Sequence, residues 1–474
     1  MVKKAATKGP LENFLALGAS EVAARFVGFY ATTLLARKLG VDAFGALGFA
    51  TGVVSYFGIA LTGGFGDIGA AAVSREPAAA RRIAADATAM RLLIALAGMA
   101  TITILSLGFV ASPVYRIVLL ASTVTLVAPA LDTSWVYRGL SRNRTAGLAL
   151  LLGQSAYLAA VVVFVNAPGD VVRVPALQAV GELIAAGLLL VLLFRLEMPR
   201  PGISRGIAML RQSGFITASR LLRTLIVTFD VLLLAFLATS RDVGLYTAAY
   251  RVCMLVTMVV VATHAVFLPV IVRAAKEGPT SMSAIMSRSL FLTSALILPI
   301  VVGGIVLARP LLIFLFGPDY SAGSTAFQLL LASIGLLSLH GIAHNVFIAL
   351  HQTGREAAIY GVAAAVNIAL NLLLIPTYGL VGAASATLAA EAVTVVTTAF
   401  SLSRSGLKPA LSRIVLPLVA SLLMGAVLYS LSGRLPVWAL VPLGGLVYLL
   451  VFGGAGGIRS LIQDSREDIR AINA

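Results

Sequence analysis

Apolar residues in this sequence gather in long, almost uninterrupted runs, and polar residues collect in the short breaks between them. A run of about 20 such residues, coiled as a helix, crosses the hydrocarbon core of a bilayer. With breaks taken at charge clusters and Pro/Gly turns, the pattern predicts about 14 transmembrane helices. They start near Glu12, Phe44, Ala87, Val114, Thr145, Val174, Gln212, Val243, Arg288, Ser324, Glu356, Leu380, Ser412 and Pro436. The separation is thinnest at "ASPV" (111–114), and the linker "RPLLIFLFGPDYSAG" reads as an interfacial segment. The spans leave no stretch for a soluble domain of any size.

Composition agrees with this pattern: 59% of the 474 residues are hydrophobic, only 11% are charged, and the mean hydropathy is +1.00. A soluble chain of this length does not need so apolar a composition for its core. The opening "MVKKAATKGPLENFLALGASEVAARF" has a basic start but no compact apolar core followed by a small-residue cleavage site, so it reads as a first helix rather than a cleaved leader. Cys253 is the single cysteine, which excludes an intramolecular disulfide framework and a cysteine-based zinc site.

Charge then orients the spans. Of 35 Lys and Arg, 24 fall in one set of alternate loops, Arg91 among them. Seven fall in the other: Arg37, Lys38, Arg116, Arg173, Arg241, Arg309 and Arg434. Basic loops stay cytoplasmic, so both termini are expected in the cytoplasm. The net charge of +16 is mostly this topology signal; no long basic block with interleaved aromatics supports nucleic-acid binding. Four cations remain, Arg25, Arg220, Arg223 and Arg251, and all four fall inside predicted spans.

A repeat runs through the chain. Superposing Gly45 on Gly244 aligns the turns "VDAFG" and "RDVGLY" and brings Arg25 within one residue of Arg223. The expected fold is therefore an all-α integral membrane protein with two pseudo-symmetric six-helix lobes, 1–204 and 205–405. A further helix pair and a cytoplasmic tail follow at 406–474. An even number of helices per lobe gives both lobes one orientation, related by an axis along the membrane normal.

The segment "FITASRLLRTLIVTFDVLLLAF" (215–236) carries Arg220, Arg223 and Asp230 inside an apolar run. At about 100° per residue these three share one face, with Leu222, Leu225, Phe229 and Leu233 opposite. An intramembrane arginine costs about 2.5–3.5 kcal/mol on insertion scales, so a pair on one face is not expected to be idle, with an ion pair to Asp230 as the weaker alternative. Asp230 lies about 10 Å along the axis from Arg223, too far for direct pairing within the helix. Arg25 follows Glu21 by one turn, a spacing open both to an intrahelical ion pair and to a binding role.

"DVGLYTAAYRVCM" places Tyr246 and Tyr250 on one face beside Arg251, suited to sugar or phosphate contacts; an interfacial aromatic belt is the alternative. His340, His344 and His351 form a stripe open to proton response or to packing, and with no carboxylate or cysteine on their face a metal site is not expected. Asn367 and Asn371 read as interhelical hydrogen-bonding residues. Glu391 is a carboxylate inside a span, open equally to a cation or proton site and to a structural hydrogen bond, and with Glu21, Asp230 and His344 it completes the candidate ion-coupling residues. No H-E-x-x-H, G-x-S-x-G or P-loop lysine pattern occurs, and "GGFGDIG" (63–69), which follows no soluble strand, reads as a flexible helix end.

Taken in order, "LLARKLGVDAFGALGFA", "DTSWVYRGLSRNRTAG", "VGLYTAAYRV", "LFGPDYSAG" and "NIALNLLLIPTYGLVGAASATLAAE" resemble the oligosaccharide flippases. These form the polysaccharide-transporter branch of the superfamily that also holds multidrug extruders and lipid-linked peptidoglycan precursor flippases. The resemblance implies a two-lobed bundle with a central cavity and alternating access. It also implies a polyprenyl-diphosphate-linked oligosaccharide as substrate, moved across a bacterial plasma membrane without a cofactor and in company with polysaccharide polymerase machinery. Cavity cations of that family fall here on Arg25, Arg220, Arg223 and Arg251. Arginine suits the role because it offers bidentate bonds to phosphate and never loses its charge. Two alternatives stand beside this reading: a cation-coupled multidrug exporter, which needs an anionic or apolar cavity, and a membrane polysaccharide polymerase or ligase, which needs a larger outer loop than 309–323.

Overall fold

The computed structural model describes residues 10–195 and 199–464, without the side chains of 10–19, 219, 222, 223 and 225–228. The described residues form α-helices and short 3-10 turns, with one isolated bridge between Ser432 and Leu435. Among them, 11 helical segments are long and apolar enough to cross a membrane by length and composition. The expected count of 14 is thus not established, and part of the difference has a local cause. Pro10–Thr62 and Thr353–Arg404 are each continuous through a kink, at Gly40 (φ 74°, ψ 174°) and Gly379 (φ 53°, ψ −130°). The predicted starts at Phe44 and Leu380 fall just beyond these two glycines. Positive φ with ψ near 180° is a glycine conformation, so Gly40 lets the backbone turn with almost no loop. The thin join at "ASPV" is a true break: Ala80–Phe109 ends, Ser112 caps the next helix and Pro113 opens it. The supposed interfacial linker is a short helix, Ala308–Phe316, followed by the 3-10 turn Pro318–Gly323.

The chain forms two compact units, Met1–Ala235 and Phe236–Ala474. The repeat offset carries Gly40 to Thr239, which opens a helix in the second unit. Thr239 caps Ser240–Glu277: its Oγ1 accepts from the Asp242 amide at 3.1 Å while Asp242 accepts from the Thr239 amide.

The first unit is built around Phe65, Val73, Trp135, Val136, Tyr137, Leu189 and Phe194. Trp135 lies flat against Gly69, where an added Cβ would run into its ring, and the Tyr137 hydroxyl donates to the Leu189 carbonyl at 2.8 Å. Two lipid-type helices, Asn143–Phe164 and Pro168–Phe194, meet backbone to backbone at Gly153 and Gly181. Without a hydrophobic force between helices in lipid, such small-residue contacts carry the packing. Two cations of the sparse loop set satisfy helix C-termini. Lys38 Nζ donates to the carbonyls of Val162 (2.9 Å) and Val165 (2.7 Å), and Arg116 donates twice to Val110.

In the second unit the predicted extra pair, Val415–Leu431 and Val437–Gly454, packs on Pro279–Val306 through Phe291, Met424, Leu428, Tyr448 and Phe452. Tyr448 donates to the Ala295 carbonyl at 2.8 Å, and Asp464 accepts from Arg413 at 2.7 Å and lies 3.7 Å from Arg288.

Candidate functional site

The helix carrying the buried-charge pattern runs Ile203–Leu237, longer than the sequence suggests, and it is tied to the first unit at two levels. At its start the Asp86 carboxylate, 3% exposed, accepts from the Gly202 amide (2.5 Å) and from Arg205 Nε (2.6 Å) and a second Arg205 nitrogen (3.2 Å). A carboxylate removed from water needs such donors around it, which makes this tie permanent in character. About four turns further on, the helix lies against the "GGFGD" break between Pro10–Thr62 and Phe65–Arg75. Both glycines are buried there. A Cβ on Gly64 would sit 2.5 Å from Ser213 Cβ and 2.7 Å from its carbonyl oxygen; one on Gly63 would sit 3.0 Å from Thr217. The motif read as a flexible helix end is therefore a seat. No side chain larger than hydrogen fits between the two backbones.

Arg220 reaches this seat. One terminal nitrogen donates to the Gly63 carbonyl, and the other pairs with Asp67 Oδ2 at 2.7 Å. A helical wheel sets Arg220 beside Asp230 and misses Asp67, because the partner stands 153 residues away in a segment with no polar periodicity. Both members of the pair are half-exposed, at 50% and 55%. Exposed pairs contribute only ~0–1 kcal/mol, so this tie is weak where the Asp86 tie is strong. Arg223, its neighbour on the wheel, lies with its side chain outside the described residues. Asp230 is 4% exposed, and Arg25 is exposed on its helix with Glu21 half-buried one turn before it.

Arg91 departs from the sequence reading, which assigns it to a cytoplasmic loop. Ala80–Phe109 begins 11 residues earlier, so Arg91 stands about 16 Å along it, 2% exposed. It donates to the Asp132 carbonyl at 2.7 Å and to the Pro129 carbonyl, fastening the bend between Val127–Leu131 and Ser134–Gly139. Asp132 in turn accepts from the Ser134 amide and hydroxyl. Glu182 is a further residue that sequence reasoning passes over: half-buried in its helix, it accepts from Gln178 at 2.9 Å.

In the second unit Tyr246 is 1% exposed and stacked on Tyr250, with centroids 6.1 Å apart and planes within 10°. Tyr250 and Arg251 are half-buried, so these two are the more accessible of the trio. The histidine stripe holds for two of its three members. Ser324–His340 runs on through Gly341, itself helical (φ −58°, ψ −29°), into Ile342–Ala349 within one span, Pro318–Ala349, whereas His351 lies past its end in a left-handed turn at φ 55°. His340, 5% exposed, meets Glu391 at 2.7 Å and packs edge-on to Tyr360; exposed His344 meets Glu356 at 2.5 Å. The carboxylates lacking from their own face thus arrive from Thr353–Arg404. Among the described residues no group of three candidate ligands could hold a metal ion. Asn371 donates to Asn367 at 3.0 Å, a bond within one helix that the interhelical expectation for this pair does not include.

Eleven helices long and apolar enough to cross a bilayer, among the described residues, define an integral membrane protein. The chain belongs to the polysaccharide biosynthesis protein family, which it matches over residues 11–275; over residues 176–447 it also matches the lipid II flippase MurJ family. It is 28% identical over 230 residues to a probable low-salt glycan biosynthesis flippase, Agl15, of Haloferax volcanii, covering 47% of this chain and 49% of that one. It spans about half the length of the curated relatives it matches. Its fold is shared with a lipid II flippase MurJ in an inward closed conformation (TM-score 0.77, 15% identity, 94% of this chain and 100% of the other). The fold is also shared with an inward-facing multidrug resistance MATE family transporter of the MOP superfamily (TM-score 0.65, 17% identity, 81% and 95%).

Proposed function

We propose that this chain is a flippase, a transporter and not an enzyme, that moves a polyprenyl-diphosphate-linked oligosaccharide across the plasma membrane by alternating access, with both termini in the cytoplasm. The observation that carries this reading is Arg220, a cation well inside a long helix and half-exposed, whose guanidinium is oriented by a backbone carbonyl and balanced by an exposed carboxylate. That geometry suits reversible binding of a phosphate group better than structural pairing. A diphosphate cannot cross hydrocarbon unaided, and arginine meets it through parallel N–H bonds while staying charged. Arg25 and Arg223 supply further charge in the first unit, and Arg251 with Tyr250 offers phosphate and sugar contacts in the second, Tyr246 backing the Tyr250 ring. His340–Glu391 and His344–Glu356, with Asp230 and Glu21, are the groups at which an ion or proton would couple. Both matched curated relatives are archaeal, so the substrate is framed by its carrier chemistry and not by a bacterial source.

Family membership and the named flippase relative support this reading. Complementation tests it: expression in a strain lacking its lipid-linked oligosaccharide flippase should restore surface glycan, and Arg220→Ala at equal expression should not. Normal glycan from both Arg220→Ala and Arg25→Ala would remove the binding assignment.

The shared fold with a multidrug transporter favours a second reading, export of organic cations. Arg25 and Arg220 in the first unit and Arg251 in the second each carry the sign of charge that repels such substrates, and unchanged drug susceptibility on expression is the expected result.

A further inference from the structure

We propose that Asp67 is a built-in competitor for the transported anion: its carboxylate holds the Arg220 guanidinium until a diphosphate takes its place. The inference rests on the reading of Arg220 as a diphosphate ligand and adds the group that must leave. Asp67 touches Arg220 through one oxygen at 2.7 Å, whereas a diphosphate presents several oxygens and a larger charge to the same fork of donors. Both partners are half-exposed, so an incoming anion can reach the pair and little desolvation holds it closed, in contrast to Asp86 with its buried carboxylate and three donors. The second anchor of Arg220 is a backbone carbonyl, on Gly63, in a segment pressed against Ser213 and Thr217 of the arginine's own helix. The guanidinium therefore stays aimed when the carboxylate departs, and exchange needs only a side-chain rotation of Asp67.

The test is equilibrium binding of farnesyl diphosphate and of inorganic diphosphate to the purified full-length protein and its variants. Asp67→Asn should bind farnesyl diphosphate roughly 2- to 5-fold more tightly than the unmutated chain, the gain matching the strength of an exposed ion pair. Asp67→Glu, which keeps the charge, should bind as the unmutated chain does, and Arg220→Gln should bind more weakly. The double variant Asp67→Asn/Arg220→Gln should show no gain over Arg220→Gln alone. A gain confined to farnesyl diphosphate assigns the site to the lipid-linked source; equal gains with both probes assign it to the diphosphate whatever carries it. Unchanged or weaker binding by Asp67→Asn overturns the competitor role while leaving the flippase reading intact, as does a gain that persists without Arg220. Should neither probe bind the unmutated chain, the substrate reading and the competitor role fall together. If Asp67→Asn does not yield monodisperse protein, Asp67→Ser serves as the neutral variant.

Discussion

Two arginines of the first unit show how environment divides one chemistry into two roles. Arg91 is buried and donates to the carbonyls of Asp132 and Pro129, so removing it orphans both acceptors and opens a hole. Arg91→Ala should cost about 3 kcal/mol or more, read as a lower apparent melting temperature of the detergent-solubilised protein. Arg220 is half-exposed and its ion pair contributes ~0–1 kcal/mol. Arg220→Ala should therefore melt close to the unmutated protein and yet lose glycan translocation. A result with the two effects exchanged, Arg220→Ala unstable and Arg91→Ala merely inactive, would reverse the two roles.

Among elements, the seating of Ile203–Leu237 on Gly63 and Gly64 leaves no room for added volume. The facing atoms at Gly64 include backbone of Ser213, which cannot swing aside as a side-chain tip would. Gly64→Val should push the helix off its seat and abolish complementation, while Gly58→Ala, where an added Cβ meets nothing within 4 Å, should be silent. The bond between Ser324–His340 and Thr353–Arg404 offers a second test. Glu391→Ala strands the buried His340 ring and should cost about 1–3 kcal/mol, whereas Glu391→Gln keeps a hydrogen-bond partner and should cost less, both measured by thermal melting.

At the scale of the whole molecule, the discriminating property is the sign of charge carried inside the helices. Expression in a drug-sensitive host should leave resistance to organic cations unchanged, while expression in a flippase-deficient host should clear the lipid-linked intermediate from the cytoplasmic face. Raised drug tolerance without glycan rescue would move the protein to the exporter side of its superfamily.

The sequence by itself determined the membrane class and the helical content, and it set span starts at Phe44 and Leu380, just past the kinks at Gly40 and Gly379, because bilayer thickness and glycine's backbone freedom act locally on the chain. It also singled out arginines within apolar runs, since a charge in a 20-residue apolar run stands out without any fold. It misplaced Arg91, because helix starts are set by capping and packing more than by apolar periodicity. It also carried the histidine stripe on to His351, which lies past the end of Ile342–Ala349. Only the tertiary structure decided partners: Asp67 for Arg220, Asp86 for Arg205, Glu391 for His340 and Glu356 for His344. Ion pairs between helices depend on which faces meet, and in lipid those faces are chosen by the fit of small residues such as Gly63, Gly64, Gly153 and Gly181, a fit that no periodicity encodes.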